Sequence, residues 1–134
     1  MGREMIMTFP GGKRVQAEYK GFKIMTDQPV YAGGEGSAPA SFDLFLASIG
    51  TCAAYYVMAF CQKRGIPTDK VSVVLTTEKN PESRMIEKIF IEIRLPQDFP
   101  PRYKKAVIRS VHSCAVEAHI LKAPSFEVKA VIEG

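Results

Sequence analysis

The sequence predicts an α+β fold, with antiparallel sheets packed around a long buried central helix. Three observations point there. Residues 44–61, LFLASIGTCAAYYVMAFC, carry no formal charge, with Asp43 just before them and Lys63 and Arg64 just after. Around residues 71–75 and 89–95, apolar side chains fall at every second position, the period of a strand with one buried face. Tyr103, Val107, Val111, Cys114, Ala118 and Leu121 then recur at helical spacing.

Taken in chain order, residues 5–9, 15–20 and 22–27 read as short strands broken by Gly11-Gly12 and Gly21, an amino-terminal meander. Gly33-Gly34-Glu35-Gly36 lacks the Gly-Lys-Ser/Thr ending of a phosphate loop and the spacing of a dinucleotide fingerprint, so it reads as a flexible turn. The uncharged run is helical because Leu, Ala and Met are strong helix formers and a strand rarely exceeds about ten residues. Pro39, Ser41 as N-cap and Asp43 in the first turn mark its start, and Gly65 with Pro67 its end. Asn80-Pro81 turns the chain between the two longer strands. Pro100-Pro101 opens a second helix expected to run from Arg102 to Lys122, and residues 126–130 alternate as a last strand. No linker or repeat interrupts the chain, so residues 1–134 are expected to form a single domain.

With 134 residues, 46% hydrophobic and 24% charged, the composition is that of one soluble domain. A helix apolar on every face must be buried in protein or in lipid. Ser48, Gly50, Thr51, Tyr55 and Tyr56 dilute its hydrophobicity, and the strands need a core, so protein rather than membrane is expected to cover it. So few other residues cover such a helix poorly, which predicts a homodimer. The net charge of +4 is mild and the basic residues are scattered, against a nucleic-acid partner. The opening MGREMIMTF has no apolar stretch of signal-peptide length, which predicts a cytoplasmic protein.

Cys52, Cys61 and Cys114 are the residues with chemistry to offer. An odd number of cysteines without an export signal argues against a disulfide framework, and their spacings match no zinc-ligand pair, so no metal is expected. Cys52 and Cys61 lie nine positions apart on one helix, on opposite faces at about 100° per residue. Cys52 and Cys114 come from different helices and the pattern permits them to meet where these pack. Buried cysteine also serves as a small hydrophobe, and that reading stands for each of the three. His112 and His119 lie seven apart on one helix face, and a Cys-His nucleophilic pair with Cys114 is conceivable, but no acid identifies an orienting group, and they read as surface histidines.

The string GGEGSAPASFDLFLASIGTC, from Gly33 to Cys52, the helix end at Arg64-Gly65-Ile66 and Cys114-Ala115-Val116 on a later helix together resemble the OsmC/Ohr family. The order of strands and helices agrees over essentially the whole chain. The resemblance implies an OsmC-like fold in an intertwined homodimer, and a thiol peroxidase acting on organic hydroperoxides in an oxidative or osmotic stress response. It implies Cys52 as the peroxidatic cysteine, Cys114 as the resolving one, and Cys61 as packing. No cofactor is implied, only a small hydroperoxide or hydrophobic substrate and an external thiol reductant such as a dithiol.

The family's peroxidases also use an arginine that stabilises the thiolate and a glutamate that positions it. Here residues 29–44 contain no arginine or lysine, and Phe42 stands ten before Cys52, where the glutamate is expected. The adjacent Asp43 is the candidate for the acid's role, and Arg14, Lys20 and Lys23 are candidates for the cation. The pattern is closer to the OsmC-like branch than to the organic hydroperoxide reductases proper. A hydrophobic-ligand-binding or redox-sensing protein without efficient peroxidase activity is the alternative.

Overall fold

The computed structural model describes residues 4–133, which fall into two compact units, one within residues 1–47 and the other within 48–134. In the first, β1 (Ile6–Gly11), β2 (Arg14–Tyr19) and β3 (Phe22–Thr26) form an antiparallel sheet in the order β1-β2-β3. Tyr19 pairs with Phe22 across a two-residue turn of Lys20 and Gly21, both at positive φ. That turn geometry matches the twist of the strands it joins. The meander predicted from the sequence is therefore present, with boundaries shifted by a residue or two.

Asp27 organises the loop that follows. Its side chain is buried and accepts hydrogen bonds from the Ser37 hydroxyl (2.6 Å) and from the backbone N–H groups of Ser37 (3.0 Å), Gln28 (2.7 Å) and Glu35 (3.3 Å). Arg14 closes the arrangement from outside, its Nε on the Ser37 hydroxyl (3.0 Å) and its terminal nitrogen on Glu35 (2.7 Å). Backbone packs so closely here that a Cβ on Gly34 would run into the Gln28 carbonyl. The glycine-rich stretch is thus a pinned turn rather than a flexible one, because a buried carboxylate must satisfy its acceptors and finds the loop's amides.

The helix α1 spans Ser41–Lys63. At its start the Asp43 carboxylate accepts from the Ala40 N–H at 3.1 Å, satisfying a donor at the helix terminus. The sequence predicts burial on all faces, but a single chain buries Ile49, Ala53, Val57, Phe60 and Cys61, spaced as one stripe, and leaves Tyr55 and Met58 exposed. By length and composition α1 would also suffice to cross a membrane.

In the second unit, β4 (Ser72–Lys79) and β5 (Ile86–Arg94) form an antiparallel hairpin. Val73 faces Ile93 and Leu75 faces Ile91, so the alternating apolar positions share one side. The Asn80 carboxamide accepts from the N–H groups of Glu82 and Ser83 and turns the chain between the strands. The core combines Ala53, Val57, Phe60 and Cys61 of α1 with Phe99, Val107 and Val111, and Val73, Ile91 and Ile93 pack against it. Phe60 meets Tyr103 edge to face at 5.8 Å, with the Arg64 guanidinium 3.6 Å from the Phe60 ring centre.

Two expectations fail in this unit. The second helix is two helices, α2 (Lys104–Val111) and α3 (Ala115–Leu121), with residues 112–114 between them. Cys114 leaves the helical conformation (φ −64°, ψ 121°) and becomes the N-cap of α3. The predicted stripe therefore holds through Val107, Val111 and Cys114, then rotates away, leaving Ala118 and Leu121 exposed. The last strand, residues 126–130, also does not form; Phe126 and Val128 are exposed, and no ladder among the described residues receives their backbone groups.

Hydrogen bonds from Ser37, the hydroxyl first and then the N–H, outweigh burial and hold the Asp27 carboxyl down at about 2, with the Gln28 and Glu35 N–H groups adding to the effect. A depressed carboxylate contributes stability above its unfolded pKa of about 3.9 and loses it as pH falls through the folded value. Asp27→Asn is therefore expected to melt lower at neutral pH. Thermal melts across this acid window should then fall less steeply in the variant than in the parent protein.

Candidate functional site

Cys52 lies mid-way along α1 and is half-buried, while Cys114 is buried at the head of α3. The break between α2 and α3 is what lets them meet. An N-cap residue is extended, so its side chain turns back over the first turn of its helix, and the Cys114 Sγ accepts from the Glu117 N–H at 3.4 Å. From that position the Cys114 thiol also donates to the Cys52 sulfur. Both cysteines are free thiols.

Electrostatics separates the two sulfurs. The Cys52 thiol is lowered from its usual range, first by the hydrogen bond from Cys114, with burial opposing and the backbone N–H groups of Val116 and Ala115 assisting. Cys114 is pushed up, first by burial and then by its role as donor to Cys52. The arrangement favours the charged form at Cys52 and the protonated form at Cys114. Cys61 is fully buried on the other side of α1, and burial raises its pKa against the opposing charge of Arg64.

The remaining sequence candidates take other positions. Asp43 is engaged with the Ala40 N–H at the first turn of α1. Arg14 is engaged with Glu35 and Ser37. His112 Nδ1 pairs with the Glu117 carboxylate at 3.1 Å, and His119 Nδ1 lies 2.6 Å from the Ala115 carbonyl. Sequence reasoning looked for a side-chain cation and missed the donors beside Cys52, two backbone amides and a thiol. The signal was available in Cys114-Ala115-Val116-Glu117, which has the form of a capping box with sulfur in the N-cap position.

A cleft of 330 Å³ runs between β5 and the two short helices. Ile89, Ile91, Ile93 and Ile108 give it apolar walls, and Lys104, His112 and Glu117 supply its polar groups. Among the described residues no group of three or more His, Cys, Asp or Glu is placed to hold a metal ion.

Solved structures with this architecture come from several bacteria. A Psychrobacter arcticus 273-4 protein named for an osmotic stress and detoxification response superposes with a TM-score of 0.73 at 21% identity, over 88% of either chain. An OsmC-like protein of Mycoplasma pneumoniae gives 0.66 at 14% identity, over 92% of this chain and 91% of that one. A Legionella pneumophila organic hydroperoxide resistance protein, also called a predicted redox protein and regulator of sulfide bond formation, gives 0.52 at 20% identity over 88% and 89%. At such identities the likenesses establish a common fold. No curated protein matches the sequence. The sequence model of the OsmC-like protein family matches residues 34–129, the span that runs from the pinned glycine loop through Cys52, Cys114 and both short helices. The chain therefore belongs to the OsmC-like protein family.

Proposed function

We propose that this protein is a cytoplasmic, cysteine-based peroxidase that reduces organic hydroperoxides at the expense of an external thiol. The observation that carries the reading is the contact between Cys52 and Cys114, with the first held down and the second held up in pKa. The hydroperoxide resistance named for the Legionella pneumophila protein of the same fold supports it.

In the proposed cycle the Cys52 thiolate attacks the distal peroxide oxygen. The O–O bond breaks, an alcohol leaves with a proton from solvent, and Cys52 becomes a sulfenic acid. The Cys114 sulfur then attacks the Cys52 sulfur, the S–O bond breaks, and the thiol proton of Cys114 leaves with the oxygen as water. A dithiol reduces the resulting disulfide by exchange and is itself oxidised, which restores both thiols. Backbone N–H groups and the Cys114 thiol supply the stabilisation that a guanidinium gives elsewhere. In this reading Asp43 acts at the start of α1, holding the helix that carries Cys52.

A homodimer is part of the proposal. The exposed face of α1, including Tyr55 and Met58, and the extended apolar segment through Phe126 and Val128 are surfaces that a second copy would cover. The cleft beside β5 favours a second reading, a protein that binds a hydrophobic ligand and reports redox state through the cysteines. Its walls are apolar and its polar groups few, the usual make-up of a small-molecule site.

Three outcomes test these statements. On addition of cumene hydroperoxide, the parent protein should consume peroxide and form a Cys52–Cys114 disulfide visible by mass spectrometry. Cys52→Ser should do neither, and Cys114→Ser should stop after one equivalent with a sulfenic acid trapped at Cys52. Absence of both disulfide and consumption in the parent protein would sink the peroxidase. Tyr55→Glu with Met58→Glu should convert the dimer to monomer in sedimentation velocity, whereas a parent protein already monomeric removes the dimer. The ligand-binding reading expects a fluorescent apolar dye to bind the parent protein and to be lost from Ile91→Glu, with peroxide consumption negligible in both.

A further inference from the structure

We propose that the His112–Glu117 pair is the positioning device of the thiol site, locking the joint between α2 and α3 so that Cys114 and the Ala115 and Val116 amides stay on the Cys52 sulfur. The inference rests on the reading of Cys52 as the reactive thiol. It assigns roles to two residues that take no part in the peroxide cycle above.

The joint is short and its own bonds are few. His112 closes α2 with its N–H on the Arg109 and Ser110 carbonyls, Ser113 N–H bonds the Ser110 carbonyl, and Cys114 N–H bonds the Val111 carbonyl. All of these tie residues 112–114 back to α2, and none of them orients α3. The helix α3 is weakly held by packing, since none of its residues is fully buried and only Val116 and Glu117 are half-buried. Seven residues are also too few to be helical on their own.

Among the described residues, the Ala118 N–H bonds the Cys114 carbonyl at 3.1 Å, and two further contacts between α3 and the joint end on Glu117. Its N–H caps onto the Cys114 sulfur at 3.4 Å, and its carboxylate meets His112 Nδ1 at 3.1 Å. In an ordinary capping box the glutamate at the third helical position turns back to the N-cap N–H. Here that N–H is already bonded to Val111, and the carboxylate reaches two residues further, to His112. The glutamate thus fastens α3 to the end of α2, and the thiol and amides beside Cys52 move with α3.

A side-chain contact as exposed as this one adds little to global stability. Its removal should therefore be read in the position of the donors rather than in unfolding. In the reduced full-length protein at neutral pH, His112→Ala and Glu117→Ala are expected to slow iodoacetamide alkylation of Cys52 about tenfold, the change in thiolate fraction for one pKa unit. Diamide-driven formation of the Cys52–Cys114 disulfide should slow with it, while the melting temperature holds. Glu117→Gln keeps an oxygen for the His112 N–H and should restore most of both rates. Parent-like rates in both alanine variants, or a glutamine variant no faster than the alanine one, would overturn the proposal. Neither readout needs peroxide turnover, so a protein that forms the disulfide yet consumes no hydroperoxide would refute the peroxidase and leave this inference standing.

Discussion

The hairpin and α2 of the second unit are arranged around covering α1. A helix with no charge from Leu44 to Cys61 has no face to give to water, and each fully buried valine or phenylalanine on it contributes about 1.5–3 kcal/mol relative to exposure. The hairpin of β4 and β5 lays its apolar side against the stripe of Ala53, Val57, Phe60 and Cys61, and α2 adds Val107 and Val111. The thiol site sits at the margin of that packing. Cys52 is on the flank of the stripe, half in and half out, where a sulfur can be desolvated enough to feel nearby donors and still be reached.

Much of this architecture could be read from the residues because period and burial are tightly coupled. The alternation at Ile89, Ile91 and Ile93 could belong only to a strand with one buried face, and the pairing with β4 follows it. The recurrence of Val107, Val111 and Cys114 placed Cys114 toward the core, where it lies. The same reasoning overran at Ala118 and Leu121. Periodicity does not register a break that preserves spacing, and three non-helical residues between two helices cost the pattern nothing until its final turn.

The site was legible in its sulfurs and hidden in its donors. Two cysteines on different helices could be counted, but backbone N–H groups carry no residue identity, so the stabilisation at Cys52 has no letter in the sequence. The absence of arginine from residues 29–44 suggested a missing cation, when local geometry supplies hydrogen-bond donors instead. A charge-free run states that every face must be covered, not that one chain does the covering, and Tyr55 and Met58 remain outside.

Cys61 gives the molecule a built-in reference. It is sealed in the core with its thiol raised in pKa, so reagents in solution reach it only when the surrounding packing opens. In the proposed cycle the oxidation state of the chain is written on Cys52 and Cys114, and its conformational integrity on Cys61. Labelling a sample and reading the three positions separately would distinguish a protein that has been oxidised from one that has come apart, two forms of damage that a bulk thiol count reports as one number.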